Sequence, residues 1–227
     1  MSFNLFVKEL NGNRVEGELI KTVLYSLITS FGILAILYLF SFRFIENFVP
    51  EYGLYLFLAS ISYAFILPSV RQVRAYKEFA CMSGMMIGMT IGMISGFLSG
   101  YFIGATNGMF YGSIFGMAVG IYFGIINGKC CGIMGFMEGI MAGFMGGIMG
   151  AMTAVMMIND NVKLAGIIIF LVSSIILIGL SYMIHKETRE SERQLNEDYI
   201  FTIFASIILT SLTTLIMVMG PRSLLFQ

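Results

Sequence analysis

Seven apolar runs, at residues 22–42, 53–70, 81–104, 109–126, 132–157, 164–184 and 199–219, take up most of a chain of 227 residues. A helix needs about 20 mostly apolar residues to cross the hydrocarbon of a bilayer. Backbone in lipid must satisfy its own hydrogen bonds, so such runs are restricted to helices. Composition agrees: 58% of residues are hydrophobic and 11% are charged, where soluble domains carry about 25% charged residues. That balance excludes a soluble enzyme, a disordered chain and a nucleic-acid binder. The expected fold is an all-α, polytopic integral membrane helix bundle of seven transmembrane helices, with the lipid bilayer as its first partner.

Turn chemistry separates the runs. Pro50-Glu51, Thr106-Asn107-Gly108, Asn127-Gly128-Lys129 and Asn159-Asp160-Asn161 interrupt them, and a charged segment covers 185–198. Asn-Gly steps tolerate positive φ and so favour turns. The break at 106–108 carries no charge. Without it, a helix over 81–126 would reach about 69 Å, more than twice the ~30 Å hydrocarbon core. A hairpin is expected there.

The positive-inside rule supports seven spans. Lys8, Arg14, Lys21, Arg71, Arg74, Lys77, Lys129, Lys186, Arg189 and Arg193 then share one side, against Arg43, Lys163 and Arg222 on the other. Fusing the two middle spans changes ten against three to eight against five. The expected location is the cell membrane, multi-pass, with a cytoplasmic N-terminus and an external C-terminus. Residues 1–21 lack the short apolar core and cleavage site of a signal peptide and read as a cytoplasmic tail. Four parts follow: the tail 1–21, two conventional spans and a basic loop in 22–80, a Gly/Met-rich three-span unit in 81–157, and two conventional spans with a charged loop in 158–227.

Glycine recurs at every fourth residue from Gly84 to Gly132, thirteen times without a break, and a second phase runs through Gly135, Gly139, Gly143 and Gly147. Small residues four apart form a groove that admits another backbone. A step of four turns the helix by about 400°, so the seam drifts about 40° per glycine and can meet different neighbours along its length. Gly84, Gly88, Gly92 and Gly96 in the third span, with the second series in the fifth, are therefore expected to build a glycine-zipper core.

Methionine gathers in the same unit: fifteen of nineteen lie between Met82 and Met157. Met85, Met89 and Met93 form one ladder, and Met134, Met137, Met141 and Met145 another. In the third span the ladder flanks the glycine seam by ~100°. A thioether is a flexible gap-filler; it is also a soft neutral ligand that selects Cu(I) over hard cations. Cys81 opens the third span and Cys130-Cys131 precede the fifth. The charge-derived topology places all three thiols at the cytoplasmic side, near helix N-termini that favour thiolate. From Cys81, Met85, Met89 and Met93 lie about 6, 12 and 18 Å along the axis. If the third and fifth spans touch, their sulfurs would form paired rungs running from the thiols to mid-membrane.

The Met85-x-x-x-Met89 and Gly84-x-x-x-Gly88 steps resemble motifs of the trimeric copper-uptake channels, which have three spans. Cys130-Cys131 is similar to the vicinal pair of mercuric-ion transport proteins. Both resemblances cover only those residues, and what they imply is soft-metal passage.

Glu138 is the one ionisable group deep in the Gly/Met unit, a costly placement that usually marks function or pairing. His185 reads as an interfacial residue without a role, and Arg71, Arg74 and Lys77 read as groups that set topology and meet anionic lipid. The chain has one histidine and no triad, phosphate-loop or HExxH signature, so no enzyme is expected. The functional expectation is soft-metal handling, with Cu(I) as the ion. Cys81, Cys130 and Cys131 would be its cytoplasmic site, and Met85, Met89, Met93, Met134, Met137, Met141 and Met145 its path. No cofactor is certain from the sequence, and Cu(I) is the candidate. The alternative is a non-catalytic packing or assembly subunit of a membrane complex. A homo-oligomer or a membrane partner fits either reading.

Overall fold

The computed structural model describes residues 15–40, 48–76, 79–129, 132–188 and 199–221. Among them are seven helices: α1 (Val15–Phe40), α2 (Phe48–Ala75), α3 (Cys81–Asn107), α4 (Met109–Gly128), α5 (Gly132–Met156), α6 (Val162–Glu187) and α7 (Tyr199–Met219). Each is long and apolar enough to cross a membrane. The protein therefore has the make-up of a multi-pass, all-helical membrane protein. α1 starts at Val15, ahead of the apolar run that opens at Thr22, so the helix continues into the stretch read as a tail.

One residue joins α3 to α4. Gly108 has φ 90° and ψ 174°, a region essentially closed to side-chain-bearing residues. Its N–H donates to the Gly104 carbonyl at 3.2 Å, closing the last turn of α3. The reversal is so tight that a Cβ on Gly112 would lie 2.6 Å from the Gly104 Cα. The uncharged break at 106–108 is thus a hairpin between two membrane-length helices.

α3 is the centre of the bundle. It touches α4 and α5 on one side and α2, α6 and α7 on the other. From Ile94 to Asn107 every residue of α3 except Phe97 is buried. Ile87, Ile91, Leu98 and Phe102 form the core with Tyr63, Ile66 and Leu67 of α2. The packing of α3, α4 and α5 against one another is the densest in the molecule, and α5 rests on α3 and α4 at the edge. At the opposite edge, α1 rests on α2 and α7.

Glycine permits the dense triangle. A Cβ at Gly88 would lie 2.8 Å from Gly128 of α4. At Gly96 it would meet both Gly143 of α5 (2.9 Å) and Gly116 of α4 (3.1 Å), and at Gly104 its nearest atoms are those of Ala151 of α5 (2.8 Å). The neighbour passes from α4 to α5 along α3, following the rotation of the seam about the helix axis.

Candidate functional site

The glycine face of α5 points into the triangle and its methionines point away. Gly135, Gly139, Gly143 and Gly147 are buried. Met134, Met137, Met141 and Met145 are 53–68% exposed, and Met149, Met152 and Met156 continue the exposed stripe. The geometry follows from spacing: Met141 is two residues past Gly139, about 200° round the helix. In α3, Met82, Met86, Met89 and Met93 are also exposed, while Met85 is half-buried. α3 and α5 do touch, but along backbone: a Cβ at Gly146 would collide with Met93 main-chain atoms, and one at Gly150 with those of Phe97. The thioethers therefore form an outer face, not rungs enclosed between the two helices.

That face differs from the other exposed faces. α6 presents Leu164, Ile167, Ile168, Leu171, Val172 and Ile175, an aliphatic surface suited to lipid. α5 presents methionine along its whole length, together with one carboxyl group. Met134, Glu138, Met141 and Met145 follow at spacings that place them on one side of the helix, and Glu138 is half-buried there.

Cys81 is exposed at the start of α3. Cys130 and Cys131 lie outside the described residues, so the proposed thiol cluster has one member whose position is seen. Its helix end is already engaged: the Ala80 N–H donates to Glu187 Oε1 at 3.1 Å, and the Ser83 hydroxyl donates to the same oxygen. Glu187, at the end of α6, thus places a carboxylate at the positive end of the α3 dipole, a favourable position for an anion. Among the described residues no group of three or more His, Cys, Asp or Glu side chains is arranged to hold a metal ion. Among the described residues, the soft donors are Cys81 and the thioethers.

A second polar region was not evident from composition. Arg71, read from sequence as a charge at the membrane surface, is 4% exposed. Its Nη2 is 2.9 Å from Glu18 Oε2, its Nη1 donates to Thr22 Oγ1 at 3.4 Å, and its guanidinium lies 3.8 Å from the centre of the Tyr199 ring. Arg74 lies similarly over Phe201 at 3.9 Å. Guanidinium faces stack well on aromatic rings, and the ion pair offsets part of the cost of burying the charge. His185 is buried as well, one turn beyond Ser181, whose carbonyl accepts from Gln72 Nε2 at 3.3 Å. The available sequence signal was the polar residue at every fourth position, Glu18, Thr22, Ser26 and Ser30, inside a mostly apolar helix.

No protein-family model, curated protein or solved structure matches the chain.

Proposed function

We propose that the protein handles a soft monovalent metal ion, Cu(I), at the methionine face of α5 and the adjoining methionines of α3. One observation carries this reading: thioethers are concentrated on the outer side of α5, whereas α6 meets its surroundings with Leu, Ile and Val. Packing against lipid needs only apolar volume, which the α6 face provides without sulfur. Thioethers add soft, neutral coordination that binds Cu(I) and ignores hard cations. Because the face lies on the outside of a single chain, the path is completed by a second copy or by another membrane helix. Met134, Met137, Met141 and Met145 would line it with Met85, Met89 and Met93 beside them. Glu138 would offset the charge of the passing ion. Cys81, Cys130 and Cys131 would exchange the ion at the cytoplasmic side. The glycine-zipper core of α3, α4 and α5 would hold the methionine face rigid. The reading includes no catalysis.

A second reading is favoured by Glu187, which already occupies the helix end beside Cys81. On that reading the glycine triangle is an assembly element of a larger membrane complex, and methionine fills its contacts. Metal content separates the two. Protein purified with Cu(I) under reducing conditions is expected to retain copper, and Cys81→Ser, Cys130→Ser and Cys131→Ser together should remove most of it. Equal copper in both preparations would eliminate the thiol site.

The proposed orientation places the N-terminus in the cytoplasm and the C-terminus outside, on the ten-to-three division of basic residues. Reporter fusions after Gln194 and Gln227 are expected to report opposite sides. Signals from the same side would remove the common cytoplasmic face of the three cysteines.

A further inference from the structure

α5 carries an acidic group on the side that its own bundle leaves open. It sits at the edge and packs on α3 and α4, and every residue it buries there is glycine or alanine. Opposite them runs a stripe of Met134, Glu138, Met141, Met145, Ile148 and Met152, each exposed or half-buried. Successive members are four and three residues apart in strict alternation. All six therefore fall within about 80° around the axis and extend about 27 Å along it. That alternation is the heptad spacing with which two parallel helices interlock their side chains, and helices in membranes commonly pack at the same shallow crossing angle.

Glu138 interrupts this apolar stripe. It lies about 9 Å from the start of a helix about 36 Å long, so its backbone is within the span. Among the described residues no hydrogen bond or ion pair reaches its carboxyl group. An ionisable group in hydrocarbon is costly and is normally paired with another such group or with a backbone carbonyl. A partner from outside the chain can meet that need. Copies of one chain enter a membrane in one orientation, set by their basic residues. A symmetric pair then has its two-fold axis along the membrane normal, and a residue near that axis faces its own counterpart at the same depth. A second copy thus brings a carboxyl to the depth of Glu138 by symmetry alone.

We propose that two copies of the chain associate in parallel through this stripe of α5, with their Glu138 carboxyl groups paired in the interface. Two ionised carboxylates cannot share such a site. One proton is held between them, and the protonated carboxyl donates to the ionised one. A single polar position in an apolar heptad seam fixes register and the number of helices. Any rotation that carried Glu138 out of the seam would return both carboxyl groups to lipid. Methionine suits the remaining positions because its flexible side chain moulds to its counterpart. The proposal extends the reading of the methionine face by naming a second copy as the chain that completes it. The association itself needs no metal ion.

The test uses the full chain in liposomes, with a Cu(I) chelator present throughout so that metal plays no part. Copies labelled with donor or acceptor dye are diluted into increasing lipid, and energy transfer gives the dissociation constant of the pair. Glu138→Leu is expected to weaken it at least about fivefold, and Glu138→Gln, which keeps a hydrogen bond across the seam, by less than about twofold. The face is read separately with Glu138 intact, in a background where Cys81, Cys130 and Cys131 are serine. A nitroxide at Met145→Cys should show strong dipolar coupling between copies. One at Val172→Cys, exposed on α6, should show much weaker coupling. A chain that stays monomeric at every protein-to-lipid ratio overturns the proposal and leaves the face to lipid or to a different membrane protein. Coupling at Val172→Cys that equals or exceeds that at Met145→Cys overturns it too. So does a Glu138→Leu variant that associates as tightly as wild type, the result expected of a carboxyl that only reaches to the headgroups. Copper retention is measured on separate, chelator-free protein, so a monomer that holds copper and a dimer that holds none are told apart.

Discussion

Alanine at Gly116 is expected to lower the detergent melting temperature of the protein by about 6–12 °C, the equivalent of ~3 kcal/mol in a chain of this size. The added methyl has nowhere to go. It would lie 2.8 Å from the Gly100 Cα and Gly96 carbonyl of α3 and 2.9 Å from the Gly147 Cα of α5. All three atoms are backbone, so no side chain can rotate away. Either α4 retreats from both neighbours and leaves a gap, or the collision is retained. The controls are Gly32→Ala in α1 and Gly179→Ala in α6, where a Cβ meets nothing within 4 Å among the described residues. At those sites alanine should be neutral or stabilising, because it favours helix over glycine by up to ~1 kcal/mol. A thermal melt of the three variants decides the matter. Similar melting temperatures for all three would mean that α3, α4 and α5 are not in backbone contact.

Replacing Met89, Met137, Met141 and Met145 together by leucine is expected to leave the protein folded and to change copper accumulation or copper tolerance of cells severalfold. Leucine nearly conserves the volume of methionine, and such exchanges usually cost less than ~1.5 kcal/mol per site even inside a core. Here all four side chains are on the outer surface, so the structural cost should be smaller still. Sulfur is the property removed. Handling of a hard ion such as Mg²⁺ should be indifferent to the change, because thioethers do not suit it. A well-folded quadruple variant with wild-type copper handling would end the soft-metal reading and leave the assembly reading standing. The outward placement adds a further expectation: if two copies face each other through α5, the variant should also alter cross-linking between copies at this face.

Much of the fold was legible because its determinants are local. Apolar run length and the thickness of a bilayer were enough to divide 81–126 into two helices, and Gly108 has the backbone that this division required. The four-residue glycine period predicted close backbone approach, and its drift predicted a change of neighbour along α3. The methionine site was harder to read. Periodicity placed the thioethers on a face, but the expectation of rungs between α3 and α5 assumed that methionine would point toward the touching helix. Glycine occupies that contact, and on α5 the two residue types lie on opposite sides. Arg71 was misread for a related reason. It follows an apolar run and resembles a loop charge, while its partners Glu18 and Tyr199 come from the first and last spans.

The sequence by itself determined which segments are long and apolar enough to cross a membrane, where the chain turns and which residue types share a helix face. Those are consequences of transfer to lipid, backbone hydrogen bonding and the 3.6-residue repeat, and each acts within one turn or one span. Only the tertiary structure decided which face is covered and by what. It turned glycine inward and methionine outward on α5, and it drew Arg71 into a seam with Glu18. These outcomes depend on helices that are distant in sequence competing for the same contact. Backbones approach closest where no side chain intervenes, so the glycine faces meet and bulkier residues are left at the surface.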